Sequence, residues 1–448
     1  MKKALALVMA GAMALSMVAC GGSTSTATSG STAASTGTST ASSGAATEIT
    51  LWTYPIGSWQ KEETVNGFIA EFNKQYPDIK VNVEYLDYTN GDDKVTTAIE
   101  AKNTPDIIFE GPERLVSNWG AKGLMVDLSD LWTEEATADI SKTSEAVVNA
   151  CKGADGKYYE YPLCMTAHNM AINYELFEET GALQYIDEET RTWTTDNFVK
   201  ALETLRDSGK VMTPAIVYCG GQGGDQGTRA LVNNLYSGTY TNAEHTEYTV
   251  NSEQNVKALE LLADMKDKGL VDFNASMQAA DELQMFSNGT SAVSFCWNAS
   301  NEAQYASQVG FTPFAMNFPT DDDKVELCGG IWGFGIFNNG DQARIDAAKK
   351  FVQFVCDDAV QGPESVKATG FFPVRTSFGN VYEGTEDAER MGTFQAFLPN
   401  LGDYYNVTGG WTEQRTAWWN MLQQIGTGTP VAEAAASFDQ VANAAAAG

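Results

Sequence analysis

The chain has 448 residues, 43% hydrophobic and 11% aromatic, apolar enough for packed interiors and too long for one hydrophobic core, so two domains are expected. Its 58 acidic residues against 28 Lys plus Arg give a formal charge of −30. That balance argues against nucleic acid as a partner, because such binding needs cationic contacts to phosphate, and favours solubility over adhesion to an anionic envelope.

Lys2 and Lys3 precede an apolar run from Ala4 to Ala19 that ends in Met17-Val18-Ala19-Cys20. A charged start, a short apolar core and small residues at its end make 1–19 a secretory signal, too short for a transmembrane helix. Its removal would take two lysines and move the charge from −30 to −32. A cysteine directly after the small residue resembles the bacterial lipobox, so Cys20 is the expected lipidation point; Met17 stands where that pattern usually has Leu. From Gly21 to Thr47 every residue is Gly, Ser, Thr or Ala. Such a segment has nothing to bury, and residues 20–47 read as a disordered tether with a reach of about 30 Å.

Ile49 to Trp52 reads as a short buried strand, followed by Val65, Phe68, Ile69, Phe72 and Tyr76 at helical spacing up to Pro77. Ile79, Val81, Val83 and Tyr85 alternate with polar residues, and Ile107 to Phe109 is another apolar run. Strands alternating with helices predict an α/β sheet with helices on its faces. Pro162 to Tyr174 reads as one long strand, Thr195 as the cap of a helix carrying Phe198, Leu202 and Leu205, and Ala215 to Tyr218 as a strand before a glycine-rich loop, 219–227. Ser252 caps a predicted helix with Val256, Leu259, Leu262 and Met265 inward; Ile345, Ala348, Phe351, Val352 and Val355 mark another, and alanine-rich 434–447 a last one. Export permits disulfides among the six cysteines after Cys20, but they show no CxxC and no compact framework; buried free thiols are favoured over three bridges, and both stay open. His168 and His245 stand in no Cys/His cluster, so no metal site is expected, and no cofactor motif appears.

Several short motifs resemble, in order and spacing, the extracellular solute-binding proteins of ABC importers, the sugar-binding family that includes maltose-binding protein. They are Pro105-Asp106-Ile107-Ile108-Phe109 with Leu124 to Leu128 after it, Gly156-Lys157-Tyr158-Tyr159 leading to Tyr161-Pro162 and Ile172 to Phe177, Thr192-Trp193-Thr194, Phe286 to Val293, Gly329-Gly330, and Gly370 to Arg375. The resemblance covers nearly everything from Glu48 to about Gln440. It implies a type II periplasmic-binding-protein fold, two α/β domains each with a mixed sheet flanked by helices. One lobe would hold 48–164 plus 332–378 and the other 167–328 plus 380–448, with the ligand in the cleft between them and closure by a hinge.

A sugar offers C–H faces that pack on aromatic rings and hydroxyls that both donate and accept. The candidate ligand residues follow from that chemistry and from the resemblance. Tyr54 follows the first strand; Glu110, Glu113 and Arg114 follow Phe109, with Glu110 where the family's loop has an aromatic. Tyr218 and the loop 220–227 stand at a strand end, and Trp297 on a strand that in the family carries an aromatic to the cleft. Trp332 lies after Gly329-Gly330, Arg375 after Pro373-Val374, and Trp411 and Arg415 reproduce the family's Trp–Arg spacing on a predicted helix. Thr166 and His168 lie on the crossing strand, where His168 reads as a satisfied structural histidine.

The expected protein is a monomer that captures a sugar or oligosaccharide and hands it to an ABC permease, does no chemistry, and touches the membrane only through lipid on Cys20. Two other classes stay open. A surface glycoside hydrolase would need a carboxylate pair, but no G-x-S-x-G and no nucleotide P-loop is present. The same fold could instead take a peptide, a polyamine or a phosphate ester.

Overall fold

The structure is a computed structural model that describes residues 46–221 and 224–447. The expected signal, Cys20 and nearly all of the expected tether lie outside these residues. Thr47, placed in the tether by its composition, is the first residue of a strand, its N–H on the Asp78 carbonyl at 2.8 Å.

The described strands are β1 (Thr47–Thr53), β2 (Ile79–Tyr85), β3 (Ile107–Glu110), β4 (Tyr161–Ala167), β5 (Asn169–Asn173), β6 (Ala215–Tyr218), β7 (Val271–Asn274), β8 (Val293–Trp297), β9 (Pro313–Met316), β10 (Gly329–Ile336) and β11 (Phe372–Pro373). Six of them form one sheet in the order β11-β4-β10-β3-β1-β2; β8-β5-β9 form a second and β6-β7 a third. β1 runs parallel to both β2 and β3, and β10 runs antiparallel between β3 and β4. β6 and β7 are parallel, while β5 is antiparallel to β8 and β9. The chain is therefore mixed α/β.

Residue pattern explains which strands lie where. In β2, Ile79 and Val81 are buried while Lys80 and Asn82 are exposed, as period-two alternation at a sheet edge requires. β3, β4 and β5 are buried at every position, as expected of strands covered on both faces. The long strand expected over 162–174 is two strands in two different sheets, with only His168 between them. No Gly or Pro and no turn signal stands between Cys164 and Ile172, so residue pattern alone could not reveal the break.

The helices follow their apolar spacing. Glu62–Gln75 buries Val65, Phe68 and Phe72, and Gln342–Asp357 buries Ile345, Ala348, Phe351, Val352 and Val355. Phe72 packs edge-on against Phe351 at 5.2 Å and so locks the two helices together. Ser252 caps Glu253–Asp267 as expected. The cap of Thr195–Ser208 is Thr194 and not Thr195: the Thr194 hydroxyl accepts from the Asn197 N–H, whereas the buried Thr195 hydroxyl donates to the Leu235 carbonyl at 2.7 Å. Trp411–Gly426 and Val431–Ala446 form the last two helices. The six described cysteines are free thiols, five buried and Cys296 half-buried.

Candidate functional site

Three parallel strands end together. Thr53 of β1 pairs with Phe109 of β3 and with Tyr85 of β2, so the segments that follow emerge on one row at their C-terminal ends. In open α/β sheets this is the edge where ligands collect. A cavity of about 650 Å³ lies there, within the range of small-molecule sites.

One wall is built by the turn after β3. Gly111 lets the chain fold tightly: a Cβ there would lie 2.5 Å from Glu113 Oε2 and 2.9 Å from the Ile331 carbonyl. The short helix Pro112–Arg114 then brings Glu110, Glu113 and Arg114 together, all nearly sealed from solvent. Arg114 donates to Asp92 through Nε at 2.8 Å and Nη2 at 2.9 Å, and through Nη1 to Glu110 at 2.7 Å. Glu113 accepts from Tyr404 Oη at 3.1 Å. Glu160 lies behind this group, fully buried with neither carboxyl oxygen hydrogen-bonded. One guanidinium does not compensate so many buried acids. Burial pushes Glu110 up to about 7, raises Glu113, and lifts Glu160 well above the carboxylate range, with the neighbouring glutamates adding to the effect on Glu110 and Glu160.

The facing wall starts at the glycine-rich loop. Gly224 takes φ +76° and leaves no space for a side chain, since a Cβ would meet that of Ala279 at 2.3 Å. Asp225 then opens the helix Asp225–Leu235. Its carboxylate contacts Arg229, one helical turn on, at 2.8 Å and Arg415 Nε at 3.0 Å. Arg229, fully buried, also donates to Asn406 Oδ1 at 2.9 Å, and its guanidinium lies 4.9–5.4 Å from the rings of Tyr240, Tyr405 and Trp411. Here bases outnumber the acid, and Arg229 and Arg415 hold Asp225 below the usual carboxylate range despite complete burial.

Six of the sequence candidates line this cavity: Glu110, Glu113, Arg114, Trp332, Trp411 and Arg415. Four do not. Tyr54 lies one layer back, fully buried, its hydroxyl on Asp92 at 2.8 Å and its ring under Arg114 at 5.3 Å. Tyr218 is sealed in, its hydroxyl donating to the Gly224 carbonyl. Trp297 packs against Phe286 at 5.4 Å and donates to Glu302 at 3.2 Å. Along β8 alternate side chains take opposite faces, and it is the preceding Cys296 that reaches the cavity. Arg375 is spent on Tyr161 Oη at 2.7 Å, the Cys356 carbonyl at 3.2 Å and Asp357, fastening the C-terminus of Gln342–Asp357.

The cavity also has walls that sequence reasoning did not find. Tyr88 and Phe371 add aromatic surface, and Gln60, Gln226, Asn301 and Gln304 add amides that can both donate and accept. Thr166 is buried with its hydroxyl on the Ala167 carbonyl. His168 is not a satisfied histidine: it lines the cavity, its Nε2 is buried without a partner, and burial pushes its pKa down to about 4, so it is a neutral ring. The charged residues on the walls are two glutamates and two arginines, each already engaged by protein. The space between is charge-balanced, aromatic and rich in amides.

Residues 57–362 match the family described as bacterial extracellular solute-binding protein. The chain belongs to this family. It is 24% identical over 338 residues to the arabinooligosaccharide-binding protein of Bacillus subtilis, covering 73% of each chain. Among solved structures it is similar to an ABC substrate-binding protein of Listeria monocytogenes in complex with cycloalternan (21% identity, TM-score 0.69, covering 88% of this chain and 98% of that one). It is also similar to the cyclic alpha-maltosyl-1,6-maltose binding protein of Arthrobacter globiformis (19% identity, TM-score 0.70, 90% and 99%). The fold is thus the type II binding-protein fold that the sequence resemblance implied. Among the described residues no helix is long and apolar enough to cross a membrane.

Proposed function

We propose that this solute-binding protein captures a sugar or oligosaccharide in the cavity at the ends of β1, β2 and β3 and delivers it to an ABC permease. The observation that carries this reading is the chemistry of the walls. A polyamine would need uncommitted carboxylates and a phosphate ester uncommitted arginines, whereas every charged wall group is already paired within the protein. What remains on offer is aromatic faces and amides, the complement of a neutral polyol. The named ligands of the similar proteins support the same class.

The lobes would be 48–164 plus 332–378 and 167–328 plus 380–448, closing on the ligand by a hinge. The division of β4 and β5 between two sheets, one residue apart, supports a crossing at His168. The protein works as a monomer, anchored outside the cell by lipid on Cys20, and performs no catalysis. Glu110 and Glu113 would be the wall carboxylates available to a hydrolase, and both are engaged, by Arg114 and Tyr404.

A thermal-shift screen tests the assignment, because a ligand of the native state alone raises the unfolding midpoint. Sugars or oligosaccharides are expected to raise it. A shift by a peptide, a polyamine or a phosphate ester, with none by any sugar, would overturn the reading. Shortening of an oligosaccharide incubated with the protein would overturn the binding-only role.

A further inference from the structure

The acid wall carries more carboxyl groups than its one guanidinium can neutralise. Glu110 and Glu113 converge on the same nitrogen, Arg114 Nη1, at 2.7 and 3.9 Å, while Asp92 takes Nε and Nη2. Glu160 sits behind them, where Gly333 makes room for it. A Cβ on Gly333 would lie 2.7 Å from Glu160 Oε1, and Gly333 is the residue of β10 directly opposite Glu110. Glu160 is fully buried and neither of its oxygens receives a hydrogen bond. A carboxyl sealed from water, with no donor and no cation of its own, stays the neutral acid. The wall therefore already holds one proton where a cation is missing.

Glu110 and Glu113 face the same shortage. Two carboxyls that share one cation hold a proton between them more readily than two charges, and burial pushes Glu110 up to about 7 and raises Glu113. The groups around the pair do not relieve it. Asp92, though burial works against its charge, is held below the usual carboxylate range by Arg114 and adds a fixed negative charge. Tyr404 gives Glu113 a hydrogen bond but no charge, and burial keeps Tyr54, Tyr88 and Tyr404 as neutral phenols. Arg415 is committed to Asp225 at 3.0 Å. The thiols behind Glu160, those of Cys151, Cys164 and Cys356, are pushed up by burial. The pair also lines the cavity, Glu113 being 7% exposed and Glu110 1%, so the hydration left to it comes from the space a ligand would fill. A neutral sugar displaces that water and brings no cation, which favours the protonated pair.

Resting on the sugar reading above, we infer that the Glu110–Glu113 pair is a proton-binding site coupled to the ligand site, so that a neutral sugar and a proton are taken up together. The proton comes from solvent onto a carboxylate oxygen of the pair, and no bond of the ligand changes. The bound state holds more protons than the free one, so affinity falls as pH rises.

The test is calorimetric titration of the full chain with arabinotriose and with maltotriose, in phosphate and in Tris buffer at about pH 7, repeated at about pH 6 and about pH 8. The difference in heat between the two buffers counts the protons exchanged. At least one trisaccharide is expected to bind with net uptake of a fraction of a proton, and to bind about fivefold tighter at the lowest pH than at the highest, as a rise of about one pKa unit on binding requires. Glu113→Gln leaves Glu110 alone with Arg114 Nη1, so the fivefold change should shrink to less than about twofold. Glu160→Gln replaces a group that is already neutral and should keep the wild-type profile. Saturable binding with no proton exchanged and one affinity at every pH would overturn the inference while the sugar reading stands. So would proton release, an affinity that rises with pH, or a profile that Glu160→Gln flattens and Glu113→Gln does not. If neither trisaccharide binds wild type at any pH, the inference is overturned for these sugars, and a polyamine or peptide binding instead would remove the sugar reading too.

Discussion

The two walls of the cavity bury charge in opposite ways. Around Arg114 stand Asp92, Glu110 and Glu113, with Glu160 behind; around Asp225 stand Arg229 and Arg415. Glu110 and Asp225 are both almost completely buried, yet Glu110 is pushed up to about 7 while Asp225 is held below its ordinary range. Desolvation raises both carboxyls; what differs is the number of compensating cations. The acid-rich wall can relax by taking up protons. The base-rich wall cannot, because a guanidinium does not give up its proton in proteins.

That asymmetry can be broken from either side. The largest effect is expected for Asp225→Asn, which leaves the fully buried Arg229 without its anion; the loss should approach about 5 kcal/mol in urea unfolding at any pH near neutral. Arg114→Met should cost less, about 3 kcal/mol at pH 8, and less again at pH 5, where the freed carboxyls neutralise themselves. A pH-independent loss for Arg114→Met would contradict the comparison.

Glu110 gives a gentler test. Its folded pKa of about 7 stands above its ordinary value of 4.5, so the folded state keeps a proton that the unfolded chain has lost. The contribution of Glu110 to stability therefore falls as pH rises from about 4.5 through about 7. Glu110→Gln should flatten that slope, by on the order of 2 kcal/mol between pH 5 and pH 8, read as unfolding free energy in the two buffers. The smallest effect belongs to Tyr404→Phe, which removes the donor to Glu113; a loss of about 1 kcal/mol is expected, larger at pH 8 than at pH 5.

The sequence made the framework legible because apolar spacing is dictated by burial. The buried stripe of Gln342–Asp357, the alternation of β2 and the i,i+4 pair Trp411 and Arg415 all appear where spacing puts them. Spacing does not say which layer a strand-end aromatic joins. Tyr54, Tyr218 and Trp297 stand at the ends of strands as expected but are sealed behind the walls, and Trp297 is separated from the cavity by the one-residue alternation that brings Cys296 to it. Arg375 carries the right chemistry, but Asp357, eighteen positions earlier in sequence, claims it. Tyr88 left one signal, an aromatic in an otherwise polar turn. His168 stands on the crossing as expected, but the reading of it as a satisfied histidine fails, since whether its Nε2 has a partner depends on walls drawn from distant parts of the chain.

The central claim is that a charge-balanced aromatic cavity holds a neutral sugar. It is tested most directly by calorimetric titration of the full chain with neutral oligosaccharides at about 0.1 M and about 1 M salt, where the screening length falls from about 10 Å to about 3 Å. The account predicts saturable binding of at least one oligosaccharide with an affinity that changes by less than about twofold between the two conditions. Binding of a charged solute instead, strong at low salt and lost at high salt, with no heat from any oligosaccharide, would contradict it.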